Sequence, residues 1–230
     1  MILAINTSTR QFSVGLILEE GILLTEYIMS SIKSGSSYLM PGIDFLLRHS
    51  EKKLEDIKAV AVAIGPGSFT GLKVGLSVAK GMCFSMNIPI IGISSLEALA
   101  MQIPYSDIPI TAIIDSRKRE YFFAQFAYKK GELVRINRDE CIKIEKFPER
   151  FREKTIFIGN DYISQAELIR EYIGRNAILA PSYLWHIRSA CIGILALRRL
   201  KEKRFDDLIG LDPIYLRPPE IRPNPYGLRS

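Results

Sequence analysis

The chain has 230 residues, 47% hydrophobic and 24% charged, enough apolar material for a sizeable core without disulfide or metal staples. A net charge of +6 suits an anionic partner such as RNA or a nucleotide, but the basic residues are scattered and form no long run. Cys83, Cys141 and Cys191 stand singly, which excludes a disulfide framework; no apolar run reaches a membrane span and residues 2–5 are too short for a signal peptide, so a cytoplasmic protein is expected.

Residues 2–6 (Ile-Leu-Ala-Ile-Asn) read as a buried strand, followed by a polar turn at Thr7–Arg10 and strands at 12–18 and 22–28 around the hairpin Glu19-Glu20-Gly21. The Ser/Gly-rich stretch 30–37 reads as a loop, and a helix is expected at 38–49. Residues 59–64 are a fully buried strand broken by Gly65-Pro66-Gly67. A long helix follows at 69–86, then a strand at 90–93 and a helix at 95–101. Pro104 to Pro109 mark a domain boundary. Beyond it come a strand at 110–115, a charged turn at Ser116–Glu120, strands at 121–128 and 132–136, and a helix near 145–152. A strand at 155–158, a helix at 161–172, a strand at 177–180 and a helix at 183–201 complete the folded part. The segment 211–230 holds five prolines and reads as an extended tail, with free disorder the alternative for its last ten residues.

The two halves begin alike: strand, polar turn, strand, charged hairpin with glycine, strand. This repeat predicts a duplicated α/β fold of the actin-like (ribonuclease H-like) kind with two mixed sheets, divided as 1–103, 104–210 and the tail. In such a fold the turns Asn6-Thr7-Ser8-Thr9 and Asp115-Ser116-Arg117 face an interdomain cleft. Thr7, Ser8 and Asp115 are therefore candidates for contacting ATP or ADP, although the neutral Asn6 weakens the case for a metal-dependent ATPase.

The run Gly65-Pro-Gly-Ser-Phe-Thr-Gly-Leu-Lys-Val-Gly75 follows a strand and opens a helix, a place where backbone N–H groups can meet a phosphate. It lacks the Gly-Lys-Ser/Thr of a Walker loop, and a tight turn with Ser68 as helix cap is the simpler explanation. Gly71, Gly75, Ala79 and Cys83 recur every fourth residue, so something must approach that stripe closely: its own sheet or a second helix across an interface. The helices at 38–49 and 69–86 are apolar on most sides and are not expected to be covered by one sheet face. Tyr38, Leu39, Phe45, Gly71, Leu72, Gly75, Val78 and Ala79 are accordingly expected at a protein interface. His49 and His186 form no pair at helical spacing, so neither a histidine metal site nor a self-sufficient catalytic constellation is expected.

Together these segments resemble the bacterial TsaB (YeaZ-type) family: Ile2–Thr9, Gly65–Gly81, Ile91–Leu99, Asp115–Arg117 and Pro213–Glu220, in order along nearly the whole chain. The resemblance implies an actin-like fold and a role in making threonylcarbamoyladenosine beside the anticodon of tRNA. It implies a non-catalytic subunit that partners and activates a TsaD-type catalytic subunit, with a TsaE-type ATPase joining, a homodimer when alone, and tRNA met through the complex. Asn6 stands where the family often has Asp, and Ser36-Ser37 where it often has His-Ser. A stand-alone actin-fold kinase or transferase, a glycoprotease and a direct tRNA-binding module are the competing readings.

Overall fold

In the computed structural model, residues 1–30 and 38–217 are described. Most of the expected 30–37 loop, including Ser36-Ser37, and the tail beyond Arg217 lie outside these residues.

Strand β1 (Ile2–Asn6) is buried along its whole length because both of its faces are covered. Its odd residues Leu3 and Ile5 enter one core, and its even residues Ile2 and Ala4 enter the other. β4 (Ala59–Gly65) repeats the alternation, with Val60 and Val62 on the first side and Ala59, Ala61 and Ala63 on the second. β2 (Gln11–Ile17), β3 (Leu23–Ser30) and β5 (Ile90–Ser94) complete a sheet of order β3-β2-β1-β4-β5. β1–β2 and β2–β3 are antiparallel, and β1–β4 and β4–β5 are parallel.

β6 (Ile110–Asp115), β7 (Glu120–Lys129), β8 (Glu132–Arg135), β10 (Thr155–Ile158) and β11 (Ala177–Leu179) repeat that plan in the order β8-β7-β6-β10-β11. The same two antiparallel and two parallel pairings recur. The repeat seen in the sequence is thus a repeat of topology, and the fold is actin-like α/β. β9 (Glu140–Lys143), which the sequence reading missed, pairs with β7 beside β8.

Helices α1 (Leu39–His49) and α2 (Phe69–Met86) both lie on one face of the first sheet, with part of their apolar surface left exposed. Five strands spaced about 4.8 Å apart are wide enough for two helices roughly 10 Å across. α3 (Ser95–Ala100) and α6 (Ser189–Lys201) cover the opposite face, and that core runs on into the second sheet. α5 (Tyr162–Ile173) packs on the second sheet. The expected helix at 145–152 shrinks to a 3-10 turn and α4 (Phe147–Arg150), with Pro148 in its first turn.

The helix expected from 183 starts only at Ser189. Before it the backbone carbonyls have tertiary partners: Gln102 Nε2 donates to Leu184 O and His186 O, and Ser13 Oγ donates to Ile187 O. The Trp185 indole donates to Ala180 O from a buried position. At the start of α6, Glu26 accepts from Arg188 Nε, Ser189 Oγ and Ala190 N, clamping the helix to β3.

Candidate nucleotide cleft and partner-binding face

The β1–β2 turn is built around Asn6, whose side chain is fully buried. Its Oδ1 accepts from Ser8 Oγ at 2.7 Å and Ser8 N at 3.1 Å, while its Nδ2 donates to Gln11 O and Ile187 O, each at 3.4 Å. Only an amide supplies an acceptor on one side and donors on the other. Aspartate would set a second anionic oxygen against two carbonyls.

The same turn is held by α2. Thr7 Oγ1 donates to Gly71 O at 2.7 Å, and Ser8 O accepts from Ser68 N at 2.7 Å. A Cβ on Gly71 would stand 2.0 Å from Thr7 O, one on Gly75 2.1 Å from Thr7 Oγ1, and one on Gly67 2.3 Å from Ser8 O. The glycines therefore admit the chain's own turn. Thr7 and Ser8, expected to face a nucleotide, are buried at 3% and 1% exposure, with their hydroxyls engaged. Both hydroxyls and the Ser8 N–H are thus already bonded within the chain. Ser68 caps α2 through its side chain, accepting from Gly71 N.

The β6–β7 turn differs. Asp115 is exposed; its Oδ1 accepts from Arg117 N at 2.7 Å and its own N–H donates to Asn160 Oδ1. Ser116 N donates to Glu120 O, and Glu120 N to Arg117 O, closing a turn that presents Arg117, Lys118 and Arg119. Among the described residues no hydrogen bond joins Asp115 to Thr7 or Ser8. The structure places them on the two matching turns without bringing them into contact.

Of the residues expected at an interface, Leu39, Leu72, Gly75 and Ala79 are buried within the chain, Gly71 and Val78 are half-buried, and Tyr38 and Phe45 are exposed. Sequence reasoning missed further exposed apolar side chains on the same two helices: Met40 at 55% and Phe84 at 81%. Phe84 could have been found, since it shares a helical row with the polar Lys73, Ser77 and Lys80.

A cavity of about 440 Å³ lies between α2 and the tail, lined by Lys73, Ser77, Lys80, Asp212 and Tyr215, away from both turns. The tail is a strap. Ile214 N donates to Ile64 O, Tyr215 packs on Phe69, and Arg217 reaches Ser116 O and pairs with Glu120 at 2.7 Å. Burial pushes the Cys83 thiol up to about 11 and the Cys191 thiol up to about 12, and it raises that of Cys141, so no cysteine is an activated nucleophile. Among the described residues no group of three His, Cys, Asp or Glu could hold a metal ion, and no helix is long and apolar enough to cross a membrane.

Two sheets of one topology, joined through a shared core that includes α3 and α6, define a protein of the actin-like class. The family model described as TsaD, tRNA N6-adenosine threonylcarbamoyltransferase, matches residues 28–211. The tRNA threonylcarbamoyladenosine biosynthesis protein TsaB of Bacillus subtilis is 32% identical over 94% of this chain and 93% of its own length. YeaZ from Pseudomonas aeruginosa superposes with a TM-score of 0.79 at 22% identity, covering 94% of this chain and 99% of that one. The ethanolamine utilization protein EutJ of Carboxydothermus hydrogenoformans gives a TM-score of 0.54 at 13% identity, over 84% of this chain and 88% of its own. The chain belongs to the TsaB (YeaZ-type) family of tRNA threonylcarbamoyladenosine biosynthesis proteins.

Proposed function

We propose that the chain is a non-catalytic, cytoplasmic subunit of the tRNA threonylcarbamoyladenosine machinery, and that it binds and activates a TsaD-type catalytic subunit. The observation that supports this reading is the set of exposed aromatic and thioether side chains at the start of α1 and on α1 and α2, Tyr38, Met40, Phe45 and Phe84, carried by the two helices that cover one side of the first sheet. Large exposed apolar side chains on two neighbouring helices favour a protein partner. The internally satisfied β1–β2 turn favours an accessory role over a lone nucleotide-dependent transferase or kinase. Residues 1–103 and 104–210 are taken as its two units, the second lending α6 to the first sheet. A TsaE-type ATPase joins the complex, tRNA is met through it, and the same α1/α2 face pairs two copies when the catalytic partner is absent.

The test is the affinity of the chain for a TsaD-type subunit, by calorimetry, with Phe45→Glu and Phe84→Glu. Phe84 is 81% exposed, so its variant stays within about 0.5 kcal/mol of the parent in stability; Phe45 packs on Tyr27 and His49, so its variant is compared at matched folded fraction. A buried aromatic anchor contributes about 2 kcal/mol or more to an interface, so an affinity loss of roughly 30-fold is expected. Unchanged affinity in both variants would remove α1 and α2 from the interface.

A further inference from the structure

Three consecutive residues of the β6–β7 turn, Arg117, Lys118 and Arg119, have left-handed backbones, with φ of 69°, 55° and 60°. That conformation is unfavourable for residues with a Cβ, and turns that need it ordinarily carry Gly, Asn or Asp. Elsewhere among the described residues the left-handed conformation falls on glycines such as Gly21 and Gly131, on Asn87, or on single residues, Glu51, Tyr105, Lys130 and Lys203; only here does it hold for three residues in a row. At 117–119 it accepts the strain and keeps three cations. Strain of this kind points to a function for the side chains rather than for the turn.

The surroundings agree. All three residues are exposed, and Lys143 and Lys146 stand exposed beside them, lining a depression of about 270 Å³ with Glu120. Lys143 is the cross-strand partner of Glu120. Arg217 arrives from the strap and bonds to Ser116. Six cations thus face three carboxylates, Asp115, Glu120 and Glu145, of which Glu120 pairs with Arg217 and Glu145 with Arg119. The charges follow a turn, a strand and a strap around a shallow surface and do not converge on one point. That spacing suits a run of phosphates better than a single nucleotide.

We propose that the β6–β7 turn, with Lys143 and Lys146, is a contact site for the phosphate backbone of RNA. The choice of RNA rests on the reading of the chain as part of a tRNA-modifying complex; the anion site rests on the geometry alone.

The test is the double variant Arg117→Asn with Lys118→Gly, which gives the turn the residues its backbone prefers. Binding of an unmodified tRNA transcript is measured by anisotropy across a salt series. One arm uses the chain alone at low salt and the other the complex with a TsaD-type subunit, and assembly is recorded separately. The expected result is an unfolding midpoint equal to or above the parent's, weaker RNA binding in both arms, and a slope of log affinity against log salt reduced by roughly 1–2. Arg117→Lys keeps the parental slope. Parental affinity and slope in the double variant, no RNA binding by the parent in either arm, or displacement of the RNA by millimolar magnesium ATP would each overturn the assignment. Failure of the parent to assemble with the catalytic subunit, with the RNA effect intact in the chain alone, would overturn the accessory role and leave the anion site standing.

Discussion

Substituting Gly75 by alanine puts a Cβ 2.1 Å from Thr7 Oγ1, 3.3 Å from Thr7 Cβ and 3.5 Å from Thr7 Cγ2. Thr7 is 3% exposed and its hydroxyl is bonded to Gly71 O, so it has little room to yield. Overpacking costs about 1–3 kcal/mol and the broken hydrogen bond about 1. Alanine returns about 1 kcal/mol of helix propensity, leaving a net loss of about 1–3 kcal/mol. Thr7→Ala removes Oγ1 and Cγ2, so in that background Gly75→Ala is neutral or stabilising by up to about 1 kcal/mol. Urea unfolding of the parent, both single variants and the double variant therefore gives a coupling of about 2 kcal/mol. Gly71→Ala, whose Cβ would meet the Thr7 backbone carbonyl at 2.0 Å, gains no relief from Thr7→Ala. If the Gly75 and Thr7 changes add within about 0.5 kcal/mol, the account of the glycine stripe is wrong.

Asn6→Asp places a buried carboxylate against the Gln11 and Ile187 carbonyls. A loss of about 2–4 kcal/mol at pH 7 is expected, shrinking as acid protonates the group; equal stability at pH 7 would refute the donor role given to the amide. The Glu97 carboxyl is raised above its ordinary value of 4.5, first by burial and then by Asp139, against Arg135 and Arg199. The folded chain therefore holds that proton more tightly than the unfolded one, and Glu97 subtracts stability as pH climbs above 4.5. Glu97→Gln is expected to be more stable at pH 7 and to lose that advantage below the ordinary value; thermal melts that give the variant the same deficit or gain at both ends of the range would contradict it.

The duplicated topology was legible because buried strands such as 59–64 and 110–115 are continuous apolar runs closed by turn residues, and the pattern occurs twice. β9 was not legible: Glu140–Lys143 has neither a long apolar run nor strict alternation, and it is a strand only because β7 offers it an edge. The start of α6 was misplaced because residues 184–188 look helical locally, whereas their carbonyls bond to Gln102 and β2. The small-residue stripe correctly announced a close approach, but periodicity does not name the neighbour, which proves to be Thr7. The width of the five-stranded sheet lets one face carry both apolar helices, while Tyr38, Met40, Phe45 and Phe84 stay exposed. The strain at 117–119 was invisible, since charged residues in a turn look ordinary until their φ angles are known.

As a subunit of the complex, the chain contributes binding and activation and leaves the chemistry to its partner. Threonylcarbamoyl formation on an unmodified tRNA transcript tests it most directly, using the chain alone, a TsaD-type subunit with a TsaE-type ATPase, and all three together. No product is expected from the chain alone, little from the other two, and robust modification when the chain is added back, reduced in Phe84→Glu. Product formed by the chain alone, or a partner rate indifferent to its presence, would contradict it.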